Sequence, residues 1–431
     1  MSSTAHGDPL SLFRNREFLA LSGTAFARAQ AYSTILIALA LYADLFNTSD
    51  TVAGLFGTAF AVVQLVIVLP LGRLVDTKNA KHFLLGGLLV NVFVFVGFMF
   101  VESAAHVILM RVVQGFGASI LWITGSTVVG EISPEADRGL WLGTYNQVAA
   151  FSSFAGDLVG GYLLHTYDFS LTYIVLTAIT ILATVGVFFF LRDNPGGRTD
   201  PEEATSIDTF LNLLDRPMVR SLVVFRFAFS VGKMAVIIFL PVYARKDFGV
   251  SAVAIGGILA GGKLTKALLQ GKMGTWTDRV GQTHRFVLAG ALLYALGTAA
   301  IPLAGVVHDV APTLSVTALG RELAVSGAVA TLFVAYGVLG VADSIRLPAS
   351  MSLFVEEGER FDSVASSMSL RSISWKVGQV AGPVAIGAVM DALGRAMGFV
   401  AAAGFLAVSA GLFLVTRALS EPTRTAVTAD D

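Results

Sequence analysis

The chain has no cysteine among its 431 residues, and only 14% of it is Asp, Glu, Lys or Arg. Without thiols there is no disulfide and no thiolate chemistry, and the redox compartment leaves no mark on the sequence. A soluble domain carries about 25% charged residues, so the scarcity of charge excludes an ordinary water-soluble globule. The balance of sign is flat, with 29 Lys and Arg against 30 Asp and Glu. A net charge of −1 gives nucleic acid no basic face to bind. The six His residues, at 6, 82, 106, 165, 284 and 308, fall near the ends of apolar runs or between them. None stands at ligand spacing from another, so no metal and no cofactor is expected. Nor are acids, His or Ser gathered at one depth, as a membrane enzyme would require, and the chain is not expected to be an enzyme.

What fills the sequence instead is apolar. Hydrophobic residues make up 55% of it, and the mean hydropathy is +0.74. A helix that crosses a bilayer needs about 20 mainly apolar residues. Twelve such segments are predicted, at about 18–46, 52–76, 82–103, 105–130, 138–166, 169–192, 218–244, 250–275, 285–306, 327–355, 363–390 and 395–417. The expected fold class is therefore an all-α membrane protein of twelve transmembrane helices. With the N-terminus inside, the inner loops and tails collect most of the Lys and Arg, among them Arg14, Arg73, Lys78, Lys81, Arg138, Arg279 and Arg424. The outer loops keep Arg245, Lys246, Arg321 and Arg395. By the positive-inside rule both termini are expected in the cytoplasm, in a multi-pass protein of the cytoplasmic membrane. The polar start, Met1 to Glu17, lacks the pattern of a cleaved signal peptide.

Two segments break the rhythm. Arg192 to Pro217 contains Asn194-Pro195-Gly196-Gly197, acidic Glu202-Glu203 and the apolar Phe210, Leu211, Leu213 and Leu214. It reads as a flexible cytoplasmic linker ending in a short helix on the membrane surface. The expected organisation is an N-terminal six-helix half at 1–192, the linker at 193–217 and a C-terminal half with a cytoplasmic tail at 218–431. His308 to Glu322 is a longer outer loop without a counterpart in the first half, and reads as an insertion.

The two halves share a motif. Gly72-Arg73-Leu74-Val75-Asp76-Thr77-Lys78-Asn79-Ala80-Lys81 and Gly274-Thr275-Trp276-Thr277-Asp278-Arg279 each place an Asp four residues after a Gly, followed by basic residues, between apolar runs. Asp76 and Asp278 stand 202 positions apart, close to half the chain, so the repeat unit is a six-helix half. These paired loops resemble the signature between the second and third helices of the major facilitator superfamily, with its degenerate copy between the eighth and ninth. The fourth segment carries Arg111-Val112-Val113-Gln114-Gly115, similar to that family's Arg-x-x-Gln-Gly element. The fifth carries Gly143, Ser152, Gly156, Asp157, Gly160 and Gly161, spaced like the glycine-rich element of the drug:proton antiporter branch, and the eleventh repeats it as Gly378, Gly382, Pro383 and Gly387. The chain departs from the family pattern in three places. Asp157 replaces a Pro, Thr77 an Arg, and Asn79 the second loop Gly.

The resemblance implies two pseudo-symmetric halves that rock about a midplane site, with the first, fourth, seventh and tenth helices lining the cavity. It also implies a cytoplasmic gate of Gly72, Asp76, Lys81, Gly274, Asp278 and Arg279. Asp76 would face the start of the eleventh helix near Asp362-Ser363, and Asp278 the start of the fifth near Asp137-Arg138. The physics agrees, since a carboxylate at one helix end is well placed to meet the positive N-terminus of another. Small residues at four-residue spacing, Ser152, Gly156 and Gly160, or Gly378 and Gly382, lie on one helical face and admit close approach, whether for packing alone or for sliding.

Charge at membrane depth is costly and marks function. The cavity candidates are Arg28, Gln30, Tyr32, Arg111, Trp122, Arg226, Lys233, Tyr336, Asp343 and Arg346. Arg226 and Lys233, seven apart, share a face, and so do Asp343 and Arg346, three apart, which can also simply neutralise each other. Arg371 and Arg226 are candidates to snorkel to an interface. Asp157, with Lys263 or Lys266, is expected either to pair across the halves or to carry a coupling proton. Deep cations outnumber deep acids, which favours an anionic solute, whereas the glycine-rich fifth segment pulls toward efflux of amphipathic drugs. Gly257 to Leu264 nearly matches a phosphate-binding loop, but Leu264 replaces the required Ser or Thr and no strand precedes it, so no nucleotide is expected. The expected function is secondary transport of a small organic solute through a lipid bilayer, coupled to protons. The alternatives are a multidrug efflux antiporter and a non-transporting membrane sensor.

Overall fold

A computed structural model describes residues 9–195, 212–318, 321–361 and 364–420. Twelve long helices account for nearly all of it. They are α1 (Arg16–Leu45), α2 (Asp50–Thr77), α3 (Ala80–Phe98), α4 (Ala104–Ile132), α5 (Arg138–Thr166), α6 (Phe169–Phe190), α7 (Pro217–Phe248), α8 (Ala252–Val280), α9 (Thr283–Ala300), α10 (Gly327–Glu359), α11 (Val364–Leu393) and α12 (Arg395–Ser420). Each of the twelve apolar runs forms a helix, with ends within a few residues of those expected. Among the described residues, nine of these helices are long and apolar enough to cross a membrane. The number rises to ten if α9 and the short helix Leu303–Val310, bent by 43° at their junction, make one span. α5 and α11 have the length but not the apolarity, because their Gly, Ser and charged positions dilute it.

Local chemistry sets the helix ends. Asn15, Ser49, Asn79, Ser103, Asp168 and Ser326 each accept a backbone N–H of the first turn of the helix they precede. The shared motif, expected as a loop, is mostly helix. Gly72 and Asp76 lie in the closing turns of α2, and Gly274 and Asp278 in those of α8, which stops at Gly281 with φ +68°. The segment expected as an outer-loop insertion is more ordered than a loop. It forms a two-stranded antiparallel hairpin, β1 (Leu314–Ala318) and β2 (Arg321–Val325), with Leu314 opposite Val325 and Ala318 opposite Arg321. Runs of five with β-branched Val and Thr suit a strand better than a coil.

Contacts divide the chain into two compact units, Met1–Ala204 with Pro241–Ala260, and Thr205–Leu240 with Gly261–Asp431. In the first, Phe18, Leu21, Leu84, Leu88, Leu121, Val128 and Val187 form the core, and Trp141 meets Phe18 edge-on at 5.2 Å. The turn joining α7 and α8 belongs to this unit. There Arg245 Nε donates to Asp44 Oδ2 at 2.8 Å and Lys246 Nζ donates to the Thr48 carbonyl at 2.5 Å. In the second, Phe225, Phe229, Tyr294 and Phe413 pack around α7 in tilted and edge-on contacts. Leu213, at the linker's end, is buried against Val219 and Leu370, so protein rather than lipid holds it. Phe210, Leu211, Asp362 and Ser363 lie outside the described residues. The outward surfaces are apolar, with Leu182, Phe189, Leu268 and Leu296 each about two-thirds exposed or more, as a lipid-facing surface requires.

Candidate functional site

The glycine elements do the same work in both units. On α5, a Cβ at Gly156 would stand 2.7 Å from Gln30 Cα and one at Gly160 2.7 Å from Thr34 Cβ. α1 therefore lies against α5, and Thr34 Oγ1 donates to the Gly156 carbonyl at 3.0 Å. On α11, a Cβ at Gly378 would stand 2.7 Å from the Phe227 carbonyl and one at Gly382 2.7 Å from that of Val231, so α7 lies against α11. Gly161 meets the Ala252 carbonyl in the same way. Ser152 is buried and donates to the Val148 carbonyl, and Pro383 stays inside α11. Gly143 and Gly72 have open space where a Cβ would stand, and Gly274 meets only Pro348 at 3.8 Å. Close approach explains five of the singled-out glycines and not these three.

The Arg-x-x-Gln-Gly element ties α4 to α2. Arg111 Nε donates to the Phe56 carbonyl at 2.8 Å, Nη1 donates to Gln114 at 2.6 Å, and the guanidinium lies 4.2 Å from the Phe60 ring. Tyr32 packs on the same Phe60 at 5.5 Å. Arg111 is thus a buried brace, with its hydrogen bonds spent on protein. Arg28 is half-buried on α1, Gln30 is buried, and Trp122 is 43% exposed on α4. Asp157 is wholly buried on α5. Of the gate residues, Lys81 Nζ lies 3.2 Å from Asp193 Oδ1, while Asp278 and Arg279 are exposed. Asn79, which stands where the family has Gly, accepts from Lys81 N and Asn194 N and so joins this turn to the start of the linker.

The second unit holds the densest charge. Asp343 on α10 receives Lys233 Nζ of α7 on Oδ2 and Arg346 Nη2 on Oδ1 at 3.0 Å, with Lys266 Nζ of α8 at 3.9 Å. The sequence pairing of Asp343 with Arg346 holds, but the carboxylate serves two further cations from other helices. Lys266 therefore has an acidic neighbour within its own unit. Aromatic faces line the cluster. Lys233 lies 5.4 Å from the Tyr294 ring and 5.9 Å from Trp375, Arg226 lies 4.6 Å from Trp375, and Arg346 lies 3.9 Å from Phe229. Guanidinium and ammonium groups on ring faces are held by the ring quadrupole. Ser230 Oγ donates to the Trp375 carbonyl at 2.8 Å, which fixes α11 against α7.

Two expectations change here. Arg226 does not snorkel, because it is buried among these rings. Arg371, also read as an interface residue, belongs to the cluster. It lies one helical turn before Trp375, within electrostatic range of Arg226 and Arg346. The spacing Arg371-x-x-x-Trp375 could have signalled a cation and a ring on one helical face, but only the fold brings that face to α7. Lys263 is half-buried on α8, and Tyr336 lies on α10 against Gly262. Among the described residues, no group of His, Cys, Asp and Glu could hold a metal ion.

The profile of the Major Facilitator Superfamily matches residues 21–319 and 222–430. The multidrug resistance protein MdtG of Dickeya zeae is 25% identical over 93% of this chain and 94% of its own length. An uncharacterized MFS-type transporter of Methanocaldococcus jannaschii is 21% identical over 86% and 91%. Among solved structures, a bacterial homolog of the human lysosomal transporter Spinster superposes with a TM-score of 0.74 at 14% identity, covering 96% of this chain and 98% of that one. A peptide transporter of the POT family superposes with a TM-score of 0.76 at 14% identity, covering 96% and 99%. At such identity the structures speak to the fold alone. Duplicated loop motifs, glycine-seamed helix pairs in both units and a profile that spans the chain identify it as a membrane transporter of the Major Facilitator Superfamily.

Proposed function

We propose that the chain moves a small organic solute, with anions favoured, across the cytoplasmic membrane by alternating access of its two halves, with protons as the coupling ion and both termini in the cytoplasm. The observation that carries this reading is the cluster around Asp343, where Lys233, Arg346 and Lys266 share one carboxylate and Arg226 lies on the same face as Lys233. Cations at membrane depth require negative partners, and a solute anion supplies what the protein does not. The internal duplication supports rocking of two repeats around such a site. On this reading Asp76 and Asp278 with their neighbouring Lys81 and Arg279 gate the cytoplasmic side. Asp157 either carries the proton or pairs with Lys263 across the halves.

A second reading is efflux of amphipathic compounds, favoured by the likeness to MdtG and by the glycine-rich α5. Substrate-driven proton movement in liposomes with an internal pH dye separates the two. Organic anions are expected to change the internal pH, and Lys233→Met to abolish the response. A response to lipophilic cations alone would refute the anion reading and establish the drug-efflux one. Tight binding without any movement of solute or proton would leave a membrane sensor of the same fold.

A further inference from the structure

The charge of the cluster says more than its sign. Asp343 is fully engaged by Lys233 and Arg346. Arg226 lies 4.6 Å from the Trp375 ring, which Lys233 also approaches, and Arg371 stands one helical turn before Trp375 on α11. Lys233, Arg226, Arg346 and Arg371 stand against one carboxylate, with Lys266 a further cation 3.9 Å from it, so at least three positive charges are left over beside Phe229, Tyr294 and Trp375. The hydrogen-bond inventory points the same way. Nε and Nη1 of Arg226, Nε and Nη1 of Arg346, and Nε of Arg371 are buried and have no acceptor. Arg226 and Arg346 are more than nine-tenths buried, so bulk water does not take those donors. An unmet charged donor costs more than an unmet neutral one, and five such nitrogens on three side chains demand several acceptor oxygens at one place.

We propose that Arg226, Arg346 and Arg371 form a receptor for a doubly charged oxyanion group on the solute, either a tetrahedral phosphoryl-type group or a pair of carboxylates. This rests on the anion-transport reading and narrows it. A monoanion with two oxygens leaves donors unmet and at least two of the excess charges uncompensated. A dianion offsets two of the excess charges and offers three or more acceptor oxygens to guanidinium forks built for bidentate contact. Arg371 is the partly accessible member, half-buried on α11 where the other two are closed in, so the group enters past it. Lys233 and Asp343 stay paired beneath and set the site's depth.

The test is binding to the purified full-length protein in detergent, followed by intrinsic tryptophan fluorescence, because Trp375 carries the Arg226 guanidinium on its face. The panel is phenylphosphonate above its second ionisation, glutarate, benzoate and tetraphenylphosphonium. Phenylphosphonate or glutarate is expected to bind at least about tenfold more tightly than benzoate, and Arg371→Gln to weaken that binding about tenfold or more. Arg371→Lys is expected to recover part of the loss, which a merely structural role for Arg371 would not predict. Arg226→Gln is expected to act like Arg371→Gln, and a retained size-exclusion profile shows that the variant folds. If Arg226→Gln does not fold, the Arg371 pair of variants decides. Benzoate binding as tightly as the dianions would overturn the dianion receptor while leaving the anion transporter intact. Binding of tetraphenylphosphonium alone would overturn both.

Discussion

Asp343→Asn should be the most destabilising single change in the charge cluster, and the structure says by how much. The side chain is buried and holds Lys233, Arg346 and, more loosely, Lys266. Neutralising it strands cations of which Arg346 is almost completely enclosed. Removing one partner of a buried ion pair costs about 3–5 kcal/mol, because the other charge stays behind uncompensated. Lys233→Met is not the mirror image. It leaves Asp343 with Arg346 at 3.0 Å and Lys266 at 3.9 Å and removes one charge from a cationic excess, so about 1–2 kcal/mol is expected, near that of a charged hydrogen bond. In Lys233→Met/Asp343→Asn the loss should fall short of the sum of the single losses by about 1–3 kcal/mol, the usual coupling of residues in contact. The assay is a double-mutant cycle on thermal inactivation in detergent, read as surviving monomer by size exclusion, since a chain without cysteine gives a thiol-reactive dye nothing to label. Losses that simply add, or a Lys233→Met more harmful than Asp343→Asn, would refute the view that one carboxylate neutralises several cations.

Two other outcomes follow from the packing. Gly156→Ala should destabilise the first unit by about 1–3 kcal/mol, because its Cβ enters the backbone of Gln30, whereas Gly143→Ala, into open space, should change stability by less than about 0.5 kcal/mol; equal melting of the two variants would sink the close-packed α1–α5 seam. Arg111→Gln should lower the yield of folded protein by stranding the Phe56 carbonyl and Gln114, at a cost of about 1–3 kcal/mol, while the apparent KM for solute in the surviving protein stays within about twofold, given that its hydrogen bonds are spent on α2 and α4. A large rise in KM at normal yield would return Arg111 to the solute site.

Different parts of the molecule were legible for different reasons. The nine most apolar helices were plain because an apolar run long enough to span a bilayer has one way to satisfy its backbone, and that requirement is local. Their ends lie within a few residues of where the apolar runs stop, and caps such as Asn15, Ser49 and Asn79 sit next to the turns they close. The hairpin at Leu314–Val325 was read as a loop, since two runs of five residues between longer apolar segments carry little periodic signal. The glycine seams were visible as spacing, and the spacing was right for Gly156, Gly160, Gly378 and Gly382, but it gave the same weight to Gly143, where a Cβ would meet nothing within 4 Å. Spacing locates a helical face without saying what lies against it.

The sequence by itself determined what depends on neighbours along the chain: the membrane class, the duplication marked by Asp76 and Asp278, the superfamily, and the pairing of Asp343 with Arg346 one turn away. Only the tertiary structure decided which helices bring their charges together. It turned Arg111 into a brace, drew Arg226 away from the interface, and set Arg371 and Trp375 of α11 against α7 and α10. The physical reason is that a side chain's cost and use at membrane depth depend on what faces it across a few ångströms of low-dielectric space, and those partners come from other helices, tens of residues or more away in the chain.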